Sequence, residues 1–520
     1  MPPPPAFAET MDMADLTRRS VLTGAAAAAM VPLLRIPGAK ARTPGILTFG
    51  ISSFPPSVQP WANAGTASAT VKLALYRGLT SYGPDGKLRG ELAESWAPEG
   101  KNVWVFKLRD ATFSNGDKVT SADVKWTIEQ VAGEKSTAFL RNEMQGVEKI
   151  ETPDDKTVRL TMKQPSATLP LLMASYHMPI MSKASTASQQ IGAGPFILKD
   201  AERGVSMDLE ANPKYYRPGL PKLKGIRVMV YADENLRVAA LQSGDVDLIE
   251  YVPWQAMTSI EQNAQLKLDA VDGPFMSLIF NGSRPPFNDP KVRKAVAHAI
   301  RREEIVKSAF FGRGAPLAHL PIPKASPFFN ADLAEGWAYN PDLSKKLLAE
   351  AGHGGGLSCK LLSTAQYGMH KDTAEVVQQH LAAVGINVEL NLPDWATRVA
   401  LGNRGQYDLA VMGTSADSND PDGLSAYVDG SLSPSYVRSF NLSIPKLTEL
   451  FQAGREEFDE AKRKAIYHEL EQVAIDQVPM VGLALRSQGY AMRKDVTGFT
   501  NMPGALTFYS GETFETTSVG

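Results

Sequence analysis

The sequence predicts a mixed α/β fold in which strands and helices alternate, and three observations carry that expectation. Segments with period-two apolar alternation recur between segments with helical spacing. Gly, Pro, Asn and Asp mark most of the junctions. Of the 520 residues, 43% are hydrophobic, enough for a large core, and no apolar run beyond the first 41 residues reaches membrane length. Length gives a prior of about three domains.

Ile46 to Ile51 reads as the first strand, followed by a loop carrying Phe54, Pro55, Pro56, Pro60 and Trp61. In VWVFKLR, Trp104, Phe106 and Leu108 fall on one face of a strand and Val103, Val105 and Lys107 on the other. Ser114-Asn115-Gly116 then turns the chain. Thr120, with Asp123 three residues on, makes a capping box for a helix whose Val124, Ile128 and Val131 share a face. Thr157 to Met162 is strand-like, Phe196 to Lys199 is a strand opened by Gly192-Ala193-Gly194-Pro195, and Met207 to Glu210 is its hairpin partner. Ile226 to Tyr231 is another strand, and Asn235 to Ser243 a helix stopped by Gly244. Asp289-Pro290 and Asn340-Pro341 each start a helix, the second ended by Gly352. A helix from Asp372 to Val384 ends at Gly385, and Ile386, Val388, Leu390 and Leu392 alternate after it. Tyr407 to Gly413 reads as a buried strand.

The N-terminus reads as an export signal. Thr17-Arg18-Arg19-Ser20-Val21-Leu22 precedes an apolar run ending at Leu34, shorter than the roughly 20 residues that span a bilayer. Ala39-Lys40-Ala41 supplies the small residues of a cleavage site. The paired arginines point to twin-arginine export, with an ordinary secretory signal as the competing reading, since Val21 stands where Phe is preferred. The single cysteine, Cys359, lies far from this segment, which leaves neither a lipid-attachment cysteine nor a disulfide framework. A soluble periplasmic protein is the expectation. The net charge of −2 favours neither nucleic acid nor a charged membrane face as partner.

Five ordered motifs carry a family resemblance. The segment LAESW, the turn Phe113 to Gly116 and the helix start Thr120 to Val124 come first. GAGPFILKD, LQSGDVDLI, FNGSRPPFNDPKVRKAVAHAI and YNPDLSKKLLAEAG follow in order. Together they resemble the family-five extracellular solute-binding proteins, the peptide and nickel receptors of bacterial ABC importers, over nearly the whole chain from about Ile46 to Phe499. One departure is Ser114-Asn115, where the family often has His-Asp. The resemblance implies a two-lobe periplasmic-binding-protein-like fold of the large type II cluster, with an extra subdomain in the first lobe. By that analogy residues 1–41 are the signal, residues 42–74, 194–273 and 486–520 form the first lobe, 75–193 the inserted subdomain and 274–485 the second lobe. The crossings fall near Gly273-Pro274 and Leu485. It also implies a small-molecule solute, an inner-membrane permease with its ATPase as partners, a monomeric receptor, no cofactor and no resident metal.

The loop Thr414-Ser415-Ala416-Asp417-Ser418-Asn419-Asp420-Pro421-Asp422 is rich in carboxylates and turn formers and follows a strand. Ligands of open α/β sheets collect beyond the carboxyl ends of strands, so this loop is expected at the cleft. By resemblance Asp417 is the carboxylate that, in peptide receptors, pairs with the ligand's ammonium group, and Trp395 the flanking aromatic. The chemistry agrees, since a carboxylate binds cations and an indole supplies apolar and cation–π contact. The competing structural readings make Asp417 a turn residue satisfying its own backbone and Trp395 a core residue at a helix entry. Phe54, Trp61, Trp254 and Phe275 are further ligand-binding candidates, while Asp420 and Asp422 read as turn and capping residues. Thr414 and Val411 stand where peptide receptors often have Trp and Arg, so an opine, an oligosaccharide or a chelated metal remains beside a peptide or related amino-bearing compound.

Enzyme motifs are missing from the sequence: it has no Gly-x-Ser-x-Gly and no His-Glu-x-x-His. Its seven histidines have no recognised metal-ligand spacing, and His370 and His380, flanking one helix, read as solvated. A secreted hydrolase is the less favoured alternative to a receptor. The reading of residues 1–41 makes a direct prediction: the exported protein should begin near Arg42, as N-terminal sequencing would show. An intact N-terminus in the membrane fraction would refute it.

Overall fold

The computed structural model describes residues 43–520 except 63–65, 187 and 325. The export-signal reading concerns residues outside these. The central feature is an 11-stranded sheet. At one end Ile46–Ile51 pairs in parallel with Gly225–Val230 and Leu248–Ile249, and the hairpin Phe196–Glu202 with Ser206–Ala211 completes that edge. At the other end Leu357–Leu362 lies parallel to both Ile386–Asn391 and Leu409–Thr414. Two long antiparallel strands, Leu266–Phe280 and Val481–Arg493, join the halves. Their ladder breaks between Asp272 and Phe275, at Gly273-Pro274. Proline has no N–H to donate, and a Cβ on Gly273 would lie 1.9 Å from the Gly504 carbonyl oxygen, so this bulge is written into the sequence.

A separate four-stranded antiparallel sheet, ordered Ala93–Glu99, Val103–Leu108, Thr157–Met162 and Val147–Asp154, packs with the helix Ser121–Ala132 around Phe106, Phe113, Val124 and Ile128. The capping box forms: the Asp123 carboxylate accepts from the Thr120 N–H at 3.0 Å and from its hydroxyl at 2.7 Å. The strand Ala93–Glu99 was not foreseen, because AESWAPE does not alternate and contains Pro98. It is an edge strand, where a proline is tolerated.

Most predicted elements form within a residue or two of their expected ends, including the helices Glu234–Ser243, Pro290–Ala299 and Pro341–Glu350 with their Asp233, Asp289 and Asn340 caps. The helix expected from Asp372 instead runs Gly368–Ala382. It starts a turn earlier because Met369 packs against the core and His370 is itself buried. His370 is therefore not solvated: burial, followed by the charges of Arg398 and Arg486, lowers its pKa to about 3 and keeps it neutral. His380 is mostly buried too and pairs with Glu304 at 2.7 Å. Among the described residues no helix is long and apolar enough to cross a membrane.

One buried ion cluster ties distant segments together. Arg77 faces Glu91 at 3.2 Å, Glu515 at 3.2 Å and Glu512 at 3.5 Å, all essentially without solvent. Arg217 pairs with Glu91 at 2.7 Å and also with Glu515, while the Tyr215 and Tyr216 hydroxyls donate to Glu515 and Glu91. Removing one member of such a cluster leaves buried charge uncompensated. Arg77→Met should therefore destabilise the protein by about 3–5 kcal/mol, read as a lower denaturant midpoint; an unchanged midpoint would refute this role.

Candidate functional site

The loop after the strand Leu409–Thr414 is held from both sides. Asp420 accepts from the Asp422 N–H at 2.9 Å and pairs with Arg463 at 2.8 Å, while Asp422 pairs with Arg455 at 2.8 Å. Asp420 is the turn and capping residue the sequence implied, at the start of the short helix Pro421–Leu424, whereas Asp422 caps nothing and is held by its ion pair. Toward the C-terminus, Asn419 accepts from the Ala505 N–H at 2.8 Å and donates to the Pro503 carbonyl at 3.1 Å. The Ser415 hydroxyl donates to the Ala505 carbonyl at 3.1 Å. A short polar loop is thus fixed to within a side chain's freedom.

Asp417 sits between these anchors and uses none of them. Among the described residues no group donates a hydrogen bond to its carboxylate and no basic side chain forms an ion pair with it. A turn aspartate satisfying its own backbone would behave otherwise. Its side chain is accessible to a water-sized sphere, yet enough protein surrounds it that burial raises its pKa to about 6, with Glu143 adding to the rise. Its charge acts on the hydroxyls of Tyr82, Tyr176, Tyr427 and Tyr509, which burial keeps protonated. Tyr509 packs edge-on against Tyr82 at 5.5 Å and Tyr176 at 5.4 Å. Tyr427 donates to the Ser415 carbonyl at 2.8 Å. Glu143 brings a second carboxylate from the helix Arg141–Met144, its pKa also raised mainly by burial.

The other sequence candidates are distributed around this centre. Phe275, buried, meets Tyr427 edge-on at 5.7 Å and, with Ala416, Ser418 and Ala505, walls a small recess beside the loop. Trp395 is the first residue of the helix Trp395–Asn403, half-buried among Tyr367, His370 and Tyr436, with the Arg398 guanidinium 5.4 Å above its ring. Trp254 donates its indole N–H to the Ser487 carbonyl at 2.7 Å and packs against Phe310. Trp61 donates to the Pro179 carbonyl at 3.2 Å and packs against Trp126. Phe54 lies half-buried on the core that includes Phe49 and Phe514. The structure thus brings Phe275 beside the loop that carries Asp417, in a recess that Asp417 itself does not line, and gives Trp61 and Trp254 structural partners.

Sequence reasoning missed Glu143, Tyr176, Tyr427, Tyr251 and Arg486. They come from separate segments, and none stands in a local motif. Tyr251, with φ of 47°, stacks on Phe508 at 5.7 Å, and its charge couples to both Tyr176 and Arg486. Among the described residues no group of three or more His, Cys, Asp or Glu could hold a metal ion.

The raised pKa of Asp417 has a stability consequence of definite sign. The folded state binds the proton more tightly than the unfolded chain, so this group's contribution is fully present below its ordinary pKa of 3.8 and lost as pH rises through about 6. Asp417→Asn should raise the melting temperature of the ligand-free protein at neutral pH, with the difference vanishing in acid. A lowered melting temperature at neutral pH would mean that the carboxylate has a structural partner.

Comparison with known proteins shows the family and the fold. The sequence model of the bacterial extracellular solute-binding proteins, family 5 (middle region), matches residues 87–433. The glutathione-binding protein GsiB of Escherichia coli K12 is 27% identical over 464 residues, 86% of this chain and 90% of that protein. The solved structure of AgaA from A. tumefaciens R10 in complex with agropinic acid superposes with a TM-score of 0.83 at 39% identity, covering 92% of this chain and 99% of that one. The periplasmic binding protein DppA of Helicobacter pylori, in complex with the peptide STSA, shares the fold at a TM-score of 0.80 and 21% identity, covering 92% and 98%.

Proposed function

The chain belongs to the family-five bacterial extracellular solute-binding proteins, which serve ABC importers, and from that premise we propose that it captures a small amino-bearing solute at Asp417. The solute is a peptide or a related amino-acid conjugate, and the reading extends to capture in the periplasm and delivery by a monomeric receptor to an inner-membrane permease and its ATPase. The observation that carries it is the Asp417 carboxylate, unpartnered among the described residues and within electrostatic reach of Glu143 and of Tyr82, Tyr176, Tyr427 and Tyr509. A carboxylate whose ionised form the surrounding protein disfavours is stabilised by a cationic group on the solute. Tyrosine rings add contact area with little conformational entropy to lose.

Of the ligand classes, an opine-type conjugate has specific support beside the peptide. The agropinic-acid-bound neighbour is 39% identical, and Thr414 and Val411 depart from the pattern common in peptide receptors. The proposed lobes are residues 42–74, 194–273 and 486–520, with 75–193 inserted, against residues 274–485. Crossing strands interrupted at Gly273-Pro274 suit a hinge, and closure of the lobes would make the loaded form distinguishable to a permease. A receptor of this kind leaves its solute unchanged, so incubation with peptides should yield no product.

Titration calorimetry with glutathione, the peptide STSA and agropinic acid tests the site. For the amino-bearing solute that binds, Asp417→Asn should weaken affinity by at least about tenfold, since unpairing one partner of a desolvated charge pair costs about 2–5 kcal/mol. Affinity should also fall as pH drops through about 6, where Asp417 takes up its proton. Unaltered affinity in Asp417→Asn would move the site elsewhere, toward Phe54 and Trp61.

A further inference from the structure

We propose that Arg486 receives a carboxylate of the solute, so that the receptor selects compounds carrying an acidic group as well as an amino group. This rests on the reading that the space around Asp417 is the solute site. Arg486 is 97% shielded from solvent, with 3% of its surface exposed, yet its guanidinium is poorly matched by protein. Nη1 has only the Met369 sulfur at 3.2 Å and the Gln488 side-chain oxygen at 3.4 Å. Nε has no hydrogen-bond partner, and Nη2 makes none among the described residues. No carboxylate pairs with it there.

Several other buried arginines are matched more fully, although Arg398 also leaves its Nε without a partner. Arg237 donates to three backbone carbonyls, and Arg293 and Arg302 each donate to at least four. Arg77 is ringed by three glutamates, and Arg463 clasps Asp420. A guanidinium is never neutralised in practice and offers five donors in a planar fork that fits a carboxylate. Leaving most of them unmatched in a dry place is costly unless something else arrives.

Position supports the assignment. Arg486 lies on Val481–Arg493 opposite the Gly273-Pro274 bulge, where the two long strands pass between the halves of the sheet. Its charge acts on Tyr251, which couples to Tyr176, which in turn couples to Asp417. An unpaired cation and an unpaired carboxylate are therefore linked electrostatically through the neighbouring Tyr251 and Tyr176. A solute with a basic nitrogen and an acid group would match both.

Calorimetry compares the tightest binder among agropinic acid, glutathione and STSA with the form of that compound whose carboxylates are blocked as carboxamides. The wild-type protein should prefer the acid by at least about tenfold, the scale of one charge-assisted bidentate contact. Arg486→Met keeps side-chain length without charge; it should bind the acid at least about tenfold more weakly and lose the preference. Arg486→Lys, which keeps the charge but not the fork, should lose less. Melting curves of both variants without ligand should show folded protein. Asp417→Asn should weaken acid and carboxamide alike and keep the preference. Arg486→Met and Arg486→Lys with wild-type affinity, or with the preference intact, would overturn the proposal, as would a wild-type protein that binds none of the three acids. If Arg486→Met erases the preference while Asp417→Asn changes nothing, only the Asp417 reading falls.

Discussion

The two long strands Leu266–Phe280 and Val481–Arg493 are the constraint on which the molecule depends, since they alone among the described strands reach from one half of the large sheet to the other. Their ladder must be continuous enough to hold the halves and interrupted enough to bend. Pro274 removes a donor at the crossing, and Gly273 lets the backbone there approach Gly504 more closely than any Cβ would permit. Gly504 is also tied in, because its positive φ of 65° and its contact with Asn419 exclude a larger residue. The crossing, the C-terminal segment and the Asp417 loop are therefore one mechanical unit.

Electrostatics separates this unit from the rest of the interior. Several buried charges elsewhere are well matched: Arg77 by three glutamates, Arg463 by Asp420, Arg302 by backbone carbonyls. Matching of that kind makes buried charge tolerable, and removing a partner is worse than removing the pair. Around the crossing the pattern reverses, with Asp417 and Arg486 both lacking a charged partner among the described residues.

Much of the fold was legible because its signals are local. A Thr120–Asp123 box, an Asn340-Pro341 start and a Gly244 stop each act within a few residues, so the sequence shows them directly. Tertiary packing overrode local preference at Gly368–His370, where burial extended a helix, and at Ala93–Glu99, where pairing made a strand of a segment without alternation. The candidate site was legible only in part. Asp417 could be found because it sits in a polar loop after a strand. Glu143, Tyr176, Tyr251, Tyr427 and Arg486 come from five segments, and nothing in their immediate neighbours distinguishes them from other polar or aromatic residues. Trp61 and Trp254 looked equally eligible until their indole N–H groups were found bonded to backbone carbonyls.

The unmatched charges also explain how a receptor could couple recognition to closure without any catalytic group. Without solute, the protein packed around Asp417 disfavours its carboxylate and offers it no partner among the described residues, which is why its protonated form is favoured up to about pH 6. That penalty opposes closure. A solute carrying the complementary charge reverses the sign, because the desolvated pair is stronger in the closed space than either group's interaction with water. Closure then follows from the solute's preference for one of two states, and a ligand with equal affinity for both would shift nothing. Solutes of the right size but the wrong charge are rejected by the same term, since they would leave the carboxylate and the guanidinium buried and unpaired. Selectivity and closure are then two readings of one desolvation cost.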